Sequence, residues 1–290
     1  MQWQTVLGNT GIITTHFSLI PSYRLSAREF VLIDSGAQAH PELLEEFDQL
    51  GFRVAAVVCT HLHPDHIANN RALINRYGTE IYASSDEIRD VGPRYALLRS
   101  DPLEEKWLCT EPDYPIIAIE DEPVLNVHGA RFEILPTPGH VKGHFSIITP
   151  DGVCCMGDAI LSEEQLRVSL LPFIEYDVDL AVESMAALGR TFYPLYIAAH
   201  KAVIPQKALP TLAEANIRKE LELYGLLREL IRAPMEIDTA ITTFMTAAGV
   251  GREIMIRRTS MRASAMTRFN ALARAGEICL ENGMVYPGKK

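Results

Sequence analysis

The chain alternates between two hydrophobic patterns before residue 206. Short continuous apolar runs are typical of buried strands, whereas apolar residues recurring every three or four positions are typical of amphipathic helices. The predicted strands are 30–33, 52–59, 80–83, 131–135, 145–148, 153–156 and 196–199. The predicted helices are 41–50, 67–77 and 178–188. Because strands and helices interleave, the pattern indicates an α/β fold whose sheets are covered by helices.

The pattern becomes mostly helical after residue 206. Residues 209–231, 237–245 and 261–272 have helical spacing, and Asn282-Gly283 between two short apolar runs predicts a β-hairpin. Helices followed by a hairpin are typical of a winged-helix module. The charge changes at the same place, because 1–206 are rich in Asp and Glu whereas 207–290 carry an excess of Lys and Arg. We therefore predict an α/β domain over 1–206 and a helical, winged-helix-like domain over 207–290.

Residues 84–123 do not fit the alternation of strands and helices. They contain several prolines, with Tyr95, Trp107 and Tyr114 between them. We expect a partly helical insertion over one end of the sheets that helps to form the wall of the active site, because long ordered insertions are often binding loops.

Composition restricts the classes of function. The net charge of −10 argues against nucleic-acid binding by the chain as a whole. The apolar runs are far shorter than the roughly 20 residues that a membrane-spanning helix needs. The first nine residues lack the features of a signal peptide, and five cysteines are too few and odd in number for a disulfide framework. We therefore expect a cytoplasmic protein without a membrane partner.

The sharpest chemical feature is the run His61-Leu62-His63-Pro64-Asp65-His66, directly after the strand predicted over 52–59. Residues i and i+2 of an extended segment point the same way, so His61 and His63 can reach one metal ion. Asp65 and His66 follow a proline, where a helix would start, and can reach a second position. Imidazole and carboxylate groups are ligands that Zn²⁺, Fe²⁺ and Mn²⁺ accept.

Three further predicted strands lead into potential ligands. His140 follows the strand at 131–135, Asp158 the strand at 153–156, and His200 the strand at 196–199. Strand ends are rigid mounts whose loops can converge. Together with the histidine-rich run they supply enough ligands for a dinuclear site. Cys154 and Cys155 lie within their strand and are interpreted as core thiols.

In these residues and their order, about 10–206 resemble the metallo-β-lactamase superfamily of hydrolases. The resemblance implies an αββα sandwich of two sheets flanked by helices. It implies that His61, His63 and His140 hold one divalent cation. Asp65, His66 and His200 would then hold the other, with Asp158 bridging the two. The cations are expected to be zinc, with iron or manganese as alternatives.

The resemblance also implies a mechanism, and a residue outside the metal site that orients the ligands. A hydroxide that bridges the two metals attacks a carbonyl or phosphoryl centre, with Asp65 and Asp158 as the catalytic carboxylates and Asp65 accepting a proton. Asp34, in an Asp-Ser-Gly turn, would orient the ligand loop.

Two departures from the family pattern affect the expected substrate class. Ile67-Ala68-Asn69 follow His66 where glycines are usual, and His200 lies between Ala199 and Lys201 instead of between two glycines. Five residues are candidates for the substrate pocket: His144, Lys142, Lys201, Tyr176 and Phe173. His16, His40 and His128 match no ligand position.

The first functional hypothesis is hydrolysis of a small-molecule thioester, ester or lactone, and a homodimer is a candidate assembly. The alternative is a phosphodiesterase or nuclease acting on nucleic acid or a nucleotide. This alternative is supported by a group of C-terminal arginines that could bind phosphates: Arg252, Arg257, Arg258, Arg262, Arg268 and Arg274. The same positive segment can instead dock on its own acidic domain or on a dimer mate. A mononuclear iron oxygenase and a non-catalytic binding protein are further hypotheses, against which the complete ligand set argues.

Overall fold

Two β-sheets packed against each other form the centre of the molecule in a computed structural model of the chain. The structure describes residues 3–15, 18–37, 41–101, 112–120, 122–200, 202–251 and 258–288.

The first sheet contains seven strands. They are β1 (Trp3–Leu7), β2 (Thr10–Thr14), β3 (Leu19–Arg24), β4 (Glu29–Ile33), β5 (Arg53–Val58), β6 (Glu80–Ser84) and β7 (Ile117–Ile119), and they lie side by side in this order. The pairs from β1 to β4 are antiparallel, and those from β4 to β7 are parallel. Parallel neighbours need crossover connections. The helices in these connections are α1 (Pro41–Gln49), α2 (Pro64–Ile67), α3 (Asn70–Tyr77) and α4 (Ser85–Arg99).

The second sheet contains six strands. They are β8 (Val124–Val127), β9 (Ala130–Pro136), β10 (Phe145–Ile148), β11 (Val153–Cys155), β12 (Leu195–Ala198) and β13 (Ala202–Pro205). They run side by side in the order β13-β12-β11-β10-β9-β8. Only the β11–β12 pair among them is parallel. Helices α5 (Glu163–Val168) and α6 (Val178–Leu188) lie in the connection between those two strands.

Alternate residues of the central strands enter different cores, as the period of two in a strand requires. Val31 and Ile33 of β4 pack between the two sheets, against Phe132 and Ile147 of the second sheet. Leu32 belongs instead to the core beneath α1 and α3. The second sheet is covered on its outer side by a cluster that includes residues of α6. The fold is therefore two sheets flanked by helices, and the prediction of this class is confirmed.

The C-terminal residues form helices and a small sheet. The helices are α7 (Leu209–Leu230), α8 (Ile237–Ala247) and α9 (Arg258–Arg274), preceded by a 3-10 turn at Gln206–Ala208. Strands β14 (Met235–Glu236), β15 (Ile278–Glu281) and β16 (Met284–Pro287) pair in the order β14-β16-β15. The predicted hairpin is confirmed, with Asn282 and Gly283 both at positive φ in its turn. The division near residue 206 and the winged-helix assignment stay predictions.

One buried cluster extends across residue 206. Met156 and Leu188 from the preceding part pack in the same cluster as Leu212 of α7 and Phe269 of α9. The C-terminal helices therefore share a hydrophobic core with the outer face of the second sheet.

Two segments differ in detail from the sequence prediction. The helix predicted over 67–77 begins as α3 only at Asn70, because Ile67 is the last residue of α2 and the chain breaks between them, where the Asn69 side chain donates to the carbonyl oxygen of Ser35 (2.6 Å). In 84–123, α4 supplies the expected helix, and β7 is the edge strand of the first sheet. Residues 102–111 and 121, which include Trp107, lie outside the described residues. Among the helices in the described part of the chain, none has the length and apolarity needed to cross a lipid bilayer.

Candidate metal centre

The histidine-rich run lies where β5 leaves the first sheet. His61 and His63 follow the strand directly, and α2 begins at Pro64, so Asp65 and His66 occupy its first turn. The three histidines are buried, whereas the Asp65 side chain is 47% exposed. The strand thus fixes the histidines inside the protein and leaves one carboxylate facing the opening of the site.

Three imidazoles form one compact group. The Nδ1 atom of His63 lies 3.0 Å from Nε2 of His61 and 3.0 Å from Nε2 of His140. His140 reaches this position from the loop after β9, as the strand-end pattern predicted. These three nitrogens could hold one metal ion.

Asp65, His66 and His200 form a second group that could hold a metal ion. His200 follows β12, and its Nε2 lies 3.8 Å from Oδ2 of Asp65. Because the ligand atoms of the group all lie within 4.8 Å of one another, a single ion can contact them together.

Asp158, in the loop after β11, lies between the two groups. Its Oδ1 is 3.4 Å from Nε2 of His66 and 3.4 Å from Nε2 of His200. Its Oδ2 is 3.7 Å from Nε2 of His140. One carboxylate therefore presents a different oxygen to each group, and the structure brings all seven expected ligand residues together.

The outer hydrogen bonds assign the tautomers of the buried histidines. The Nδ1 atom of His140 donates to the carbonyl oxygen of Phe173 (2.7 Å), and Nδ1 of His66 donates to the Asp34 carboxylate (2.8 Å). The Nε2 atom of His63 donates to the Glu175 carboxylate (2.8 Å). A neutral imidazole carries only one proton, so a neutral ring that donates outward in this way presents a lone pair on its inward nitrogen.

His61 follows the same rule through Thr60. The Thr60 hydroxyl donates to the Asp34 carboxylate (2.8 Å), so its oxygen accepts from Nδ1 of His61 (3.0 Å). The inward nitrogens of His61, His63 and His140 then point their lone pairs at one another. The inward nitrogen of His63 lies only 3.0 Å from each of the other two. Lone pairs at this distance repel unless a cation lies among them, so the donor set fits a metal ion.

Two buried atoms at the second group also suit a cation. Nε2 of His66 and Oδ1 of Asp158 are buried and lie 3.4 Å from each other, and within the described residues neither makes a hydrogen bond of ordinary geometry. Buried polar atoms are rarely left unpaired in native proteins. A divalent cation bound by both atoms would satisfy them.

Burial and charge produce the protonation states that ligation needs. Burial lowers the pKa of His61 well below its usual range and that of His140 to about 4, so both are neutral near pH 7. Burial opposes ionisation of Asp158, but His200 and His66 outweigh it and lower the pKa of this carboxyl well below its usual value. The first group therefore offers neutral imidazoles. In the second group, burial lowers the pKa of His66 but Asp158 and Asp34 outweigh it and raise that pKa well above its usual range, and Asp158 raises the pKa of His200, so a cation bound there would replace protons beside an ionised carboxylate.

Asp34 contacts the ligand loop directly. Its Oδ1 accepts from the Thr60 amide (2.7 Å), while its Oδ2 binds both the Thr60 hydroxyl and His66. Asp34 has a φ of 60°, a left-handed conformation that Asp adopts more readily than most residues. This conformation aims the carboxylate under the loop, where the sequence analysis placed it.

The candidate pocket residues are placed in different ways. His144 is buried, with Nδ1 bonded to the Thr137 hydroxyl (2.8 Å), and its Nε2 accepts from the Asp158 amide (3.1 Å). It thus supports the Asp158 loop from behind. The Phe173 ring lies 5.6 Å from the His63 ring and 5.7 Å from the His140 ring.

The polar candidates lie nearer the surface. Tyr176 is 45% exposed, and Lys142 is paired with Asp86 (3.0 Å). Lys201 lies outside the described residues, as do His16 and His40, while the exposed His128 contacts Glu80 (3.2 Å) away from the centre.

Three charged residues that support the site were not predicted. Glu175 accepts from His63 and from Nε of Arg94 (2.9 Å), and Arg94 also forms a two-pronged pair with the buried carboxylate of Glu87. Glu87 in turn accepts from the Leu62 amide (2.9 Å). Burial opposes ionisation of Glu175, but His63 and Arg94 outweigh it and lower its pKa to about 2. α4 therefore supports the site, and no local motif could have indicated these long-range contacts.

Comparison with known sequences identifies related proteins. Residues 22–216 match the family model described as the metallo-beta-lactamase superfamily. The chain is 27% identical over 125 residues to hydroxyacylglutathione hydrolase GloC of Haemophilus influenzae, a match that covers 40% of this chain and 54% of that protein. It is 28% identical over 173 residues to the probable metallo-hydrolase YflN of Bacillus subtilis, covering 54% of this chain and 64% of that protein. The chain thus spans less than two thirds of these relatives.

Comparison with solved structures shows a shared fold over nearly the whole chain. A metallo-beta-lactamase family protein from Thermus thermophilus matches with a TM-score of 0.75 at 16% identity, covering 95% of this chain and 97% of that one. A beta-lactamase domain protein from Burkholderia ambifaria matches with a TM-score of 0.70 at 16% identity, covering 99% and 94% of the two chains.

Proposed function

The chain belongs to the metallo-β-lactamase superfamily, and from this premise we propose that it is a metal-dependent hydrolase of a small-molecule thioester, ester or lactone. Relatives named hydroxyacylglutathione hydrolase, such as that of Chromohalobacter salexigens at 28% identity over 141 residues, favour a thioester among these. The complete set of seven ligand residues favours an active centre over a binding protein that has kept only the fold.

One observation carries the proposal: the inward nitrogens of His61, His63 and His140 all present lone pairs to one point. These three atoms would hold one cation, and Asp65, His66 and His200 would hold the other. Asp158 would contact both through its two oxygens. Nitrogen and carboxylate ligands without cysteine suit zinc, and also iron or manganese.

Divalent cations bound in this way would lower the pKa of a shared water and polarise the oxygen of a scissile carbonyl. The chain's own residues then position the reactants. Asp65, half exposed beside His200, is placed to accept a proton from the attacking water. Asp158 is held by the hydrogen bond from its amide to His144, so its carboxylate keeps a fixed direction between the two groups.

The residues around the opening favour a substrate with an apolar acyl group. The Phe173 ring lies beside His63 and His140, and the exposed Tyr176 follows it in the same segment. Lys142 is paired with Asp86, which leaves less of its charge for an anionic substrate.

The nuclease alternative is weakened by the partners of the C-terminal arginines. Arg262 pairs with Asp238, Arg268 is fully buried against Glu220, and Arg274 contacts Asp177 and Asp179 before α6 and in its first turn. Arg252 and Arg257 lie outside the described residues. Three of the basic side chains are thus engaged within the chain, two with carboxylates of the C-terminal region and Arg274 with carboxylates of the acidic part, which leaves less positive charge to bind phosphates.

The experiment combines metal analysis with a substrate panel. Purified protein is measured for bound zinc, iron and manganese, and is then assayed against thioesters, lactones and phosphodiesters. We expect metal-dependent turnover of a member of the first two classes. Asp158→Ala should release at least one metal and abolish turnover, while Asp151→Ala, in a turn remote from the centre, serves as control. An Asp158→Ala variant with two metals and the full rate would refute the proposal.

A further inference from the structure

Residues 172–175 lie between the metal centre and helix α9. On the side of the centre, the Phe173 carbonyl accepts from Nδ1 of His140 (2.7 Å), and the Glu175 carboxylate accepts from Nε2 of His63 (2.8 Å). The Glu175 amide also donates to the His140 carbonyl (2.8 Å). This short segment therefore sets the tautomer of two of the three histidines in the first group.

The alternate residues of the same segment bond to α9. The Ile174 amide donates to the Ser264 hydroxyl (2.9 Å), and Nη2 of Arg268 donates to the Pro172 carbonyl (2.9 Å). Ser264 also donates to the Pro172 carbonyl (3.2 Å). Residues 172 and 174 thus contact the C-terminal region, while 173 and 175 contact the ligands.

Arg268 is itself held in one orientation. Its side chain is fully buried, and two of its nitrogens pair with the two carboxylate oxygens of Glu220 on α7, at 3.0 and 2.7 Å. Its third nitrogen donates to the Ser264 carbonyl (2.6 Å). A buried ion pair adds little net stability compared with apolar residues, but its two-pronged geometry fixes direction. The pair therefore acts to aim Arg268 at Pro172.

A second contact links the C-terminal region to the loop that carries Asp158. Asn216 of α7 accepts from the Leu161 amide (2.9 Å) and donates to the Leu161 carbonyl (3.0 Å), three residues after Asp158. The connection between β11 and β12, which carries Asp158 and contains residues 172–175, is thus bonded at two places to helices beyond residue 206.

We propose that the C-terminal region is a structural part of the metal centre, in which Ser264 and Arg268 are positioning residues. They hold residues 172–175, which orient His140 through the Phe173 carbonyl and His63 through the Glu175 carboxylate. The inference rests on the proposed function, because it assumes that these histidines bind a cation.

The test measures zinc affinity by competition with a chromogenic chelator, and the visible absorption spectrum of the cobalt-loaded protein. Ser264→Ala removes the hydroxyl that bonds residues 172 and 174. Glu220→Leu combined with Arg268→Met removes both buried charges together, which avoids leaving one of them unpaired. Arg228→Gln is the control, since it breaks the exposed pair of Arg228 with Glu277 (2.8 Å) elsewhere in the C-terminal region.

We expect zinc affinity to fall roughly tenfold in both test variants. Replacing a residue that hydrogen-bonds a metal ligand typically lowers metal affinity about 10- to 100-fold, and we expect the lower end of that range. The cobalt spectrum should change in both, because the geometry around the metal depends on ring orientation. Arg228→Gln should match the wild type. Circular dichroism checks that each variant folds. If the double variant does not fold, the zinc affinity and cobalt spectrum of Ser264→Ala alone test the proposal.

Two negative results have different meanings. A wild-type protein that binds zinc, together with folded variants of unchanged affinity and spectrum, would overturn this inference and leave the proposed function intact. A wild-type protein that binds none of zinc, cobalt, iron and manganese would overturn the proposed function itself.

Discussion

His63 and Glu175 are 112 residues apart in the chain, yet Nε2 of His63 donates to the Glu175 carboxylate at 2.8 Å. This contact leaves Nδ1 of His63 as the inward nitrogen, 3.0 Å from its neighbours in His61 and His140. The same carboxylate is held by Arg94. A residue outside the candidate ligand set thus determines which atom of the candidate ligand His63 faces the site.

Replacing Glu175 tests this relationship. Glu175→Gln keeps the size of the side chain but removes the negative charge that accepts the Nε2–H of His63. We expect zinc affinity to fall by roughly 10- to 100-fold, the range known for outer carboxylates on metal-binding histidines. Chelator competition measures it. Glu183→Gln, an exposed site on α6, is the matched control, and equal affinities in the two variants would contradict the assigned role.

Asp34 should affect the second group of ligands in a similar way. Asn tolerates the left-handed backbone at this position, so Asp34→Asn removes charge without straining the turn. Because Oδ2 of Asp34 accepts from His66, we expect a loss of metal affinity of about tenfold at the second group, with the first group less affected. Metal analysis after dialysis against a graded series of chelator concentrations separates the two ions. Asp151→Asn, whose carboxylate bonds Thr10 away from the centre, should keep both.

Gly157 is required by the close packing behind the centre. Its φ is +51°, and an added Cβ would lie 2.7 Å from Nε2 of His144 and 2.7 Å from the Thr60 hydroxyl. Gly157→Ala therefore combines backbone strain with a clash against two residues that support Asp158 and His61. We expect the free energy of unfolding to fall by about 2–4 kcal/mol in urea titrations.

The control for Gly157 is Gly78, which has a φ of +69° with no atom within 4 Å of an added Cβ. Gly78→Ala carries only the backbone strain and should cost about 1 kcal/mol. Similar losses in the two variants would show that the packing behind Asp158 is looser than the structure indicates.

The seven candidate ligand residues could be identified from the sequence because they lie in the loops and the first helical turn that follow strands with clear apolar runs. The runs before His61, Asp158 and His200 became β5, β11 and β12, and strand ends are where loops converge. The prediction that Cys154 and Cys155 are core thiols is also confirmed, since both are buried in β11.

Other parts of the fold had no comparable signal. β1 is half exposed and lacks a continuous apolar run, and β13 is a short edge strand that ends at Pro205, so neither was predicted. Arg94 and Glu175 support His63 through a contact between side chains 81 residues apart. Contacts of this kind depend on the tertiary fold and leave no local pattern in the sequence.

Removal of the metal should destabilise the protein, because the lone pairs of His61, His63 and His140 then face one another without a cation. At free zinc about 100-fold above the dissociation constant, one bound ion adds about 2.7 kcal/mol to the free energy of unfolding. With a shift of roughly 2–4 °C per kcal/mol, we expect a chelator to lower Tm by about 5–10 °C. Differential scanning calorimetry with and without a chelator measures the change. Asp158→Ala should show a smaller difference, since it retains fewer ions, and a wild-type Tm that is indifferent to zinc would contradict the assignment of these side chains as ligands.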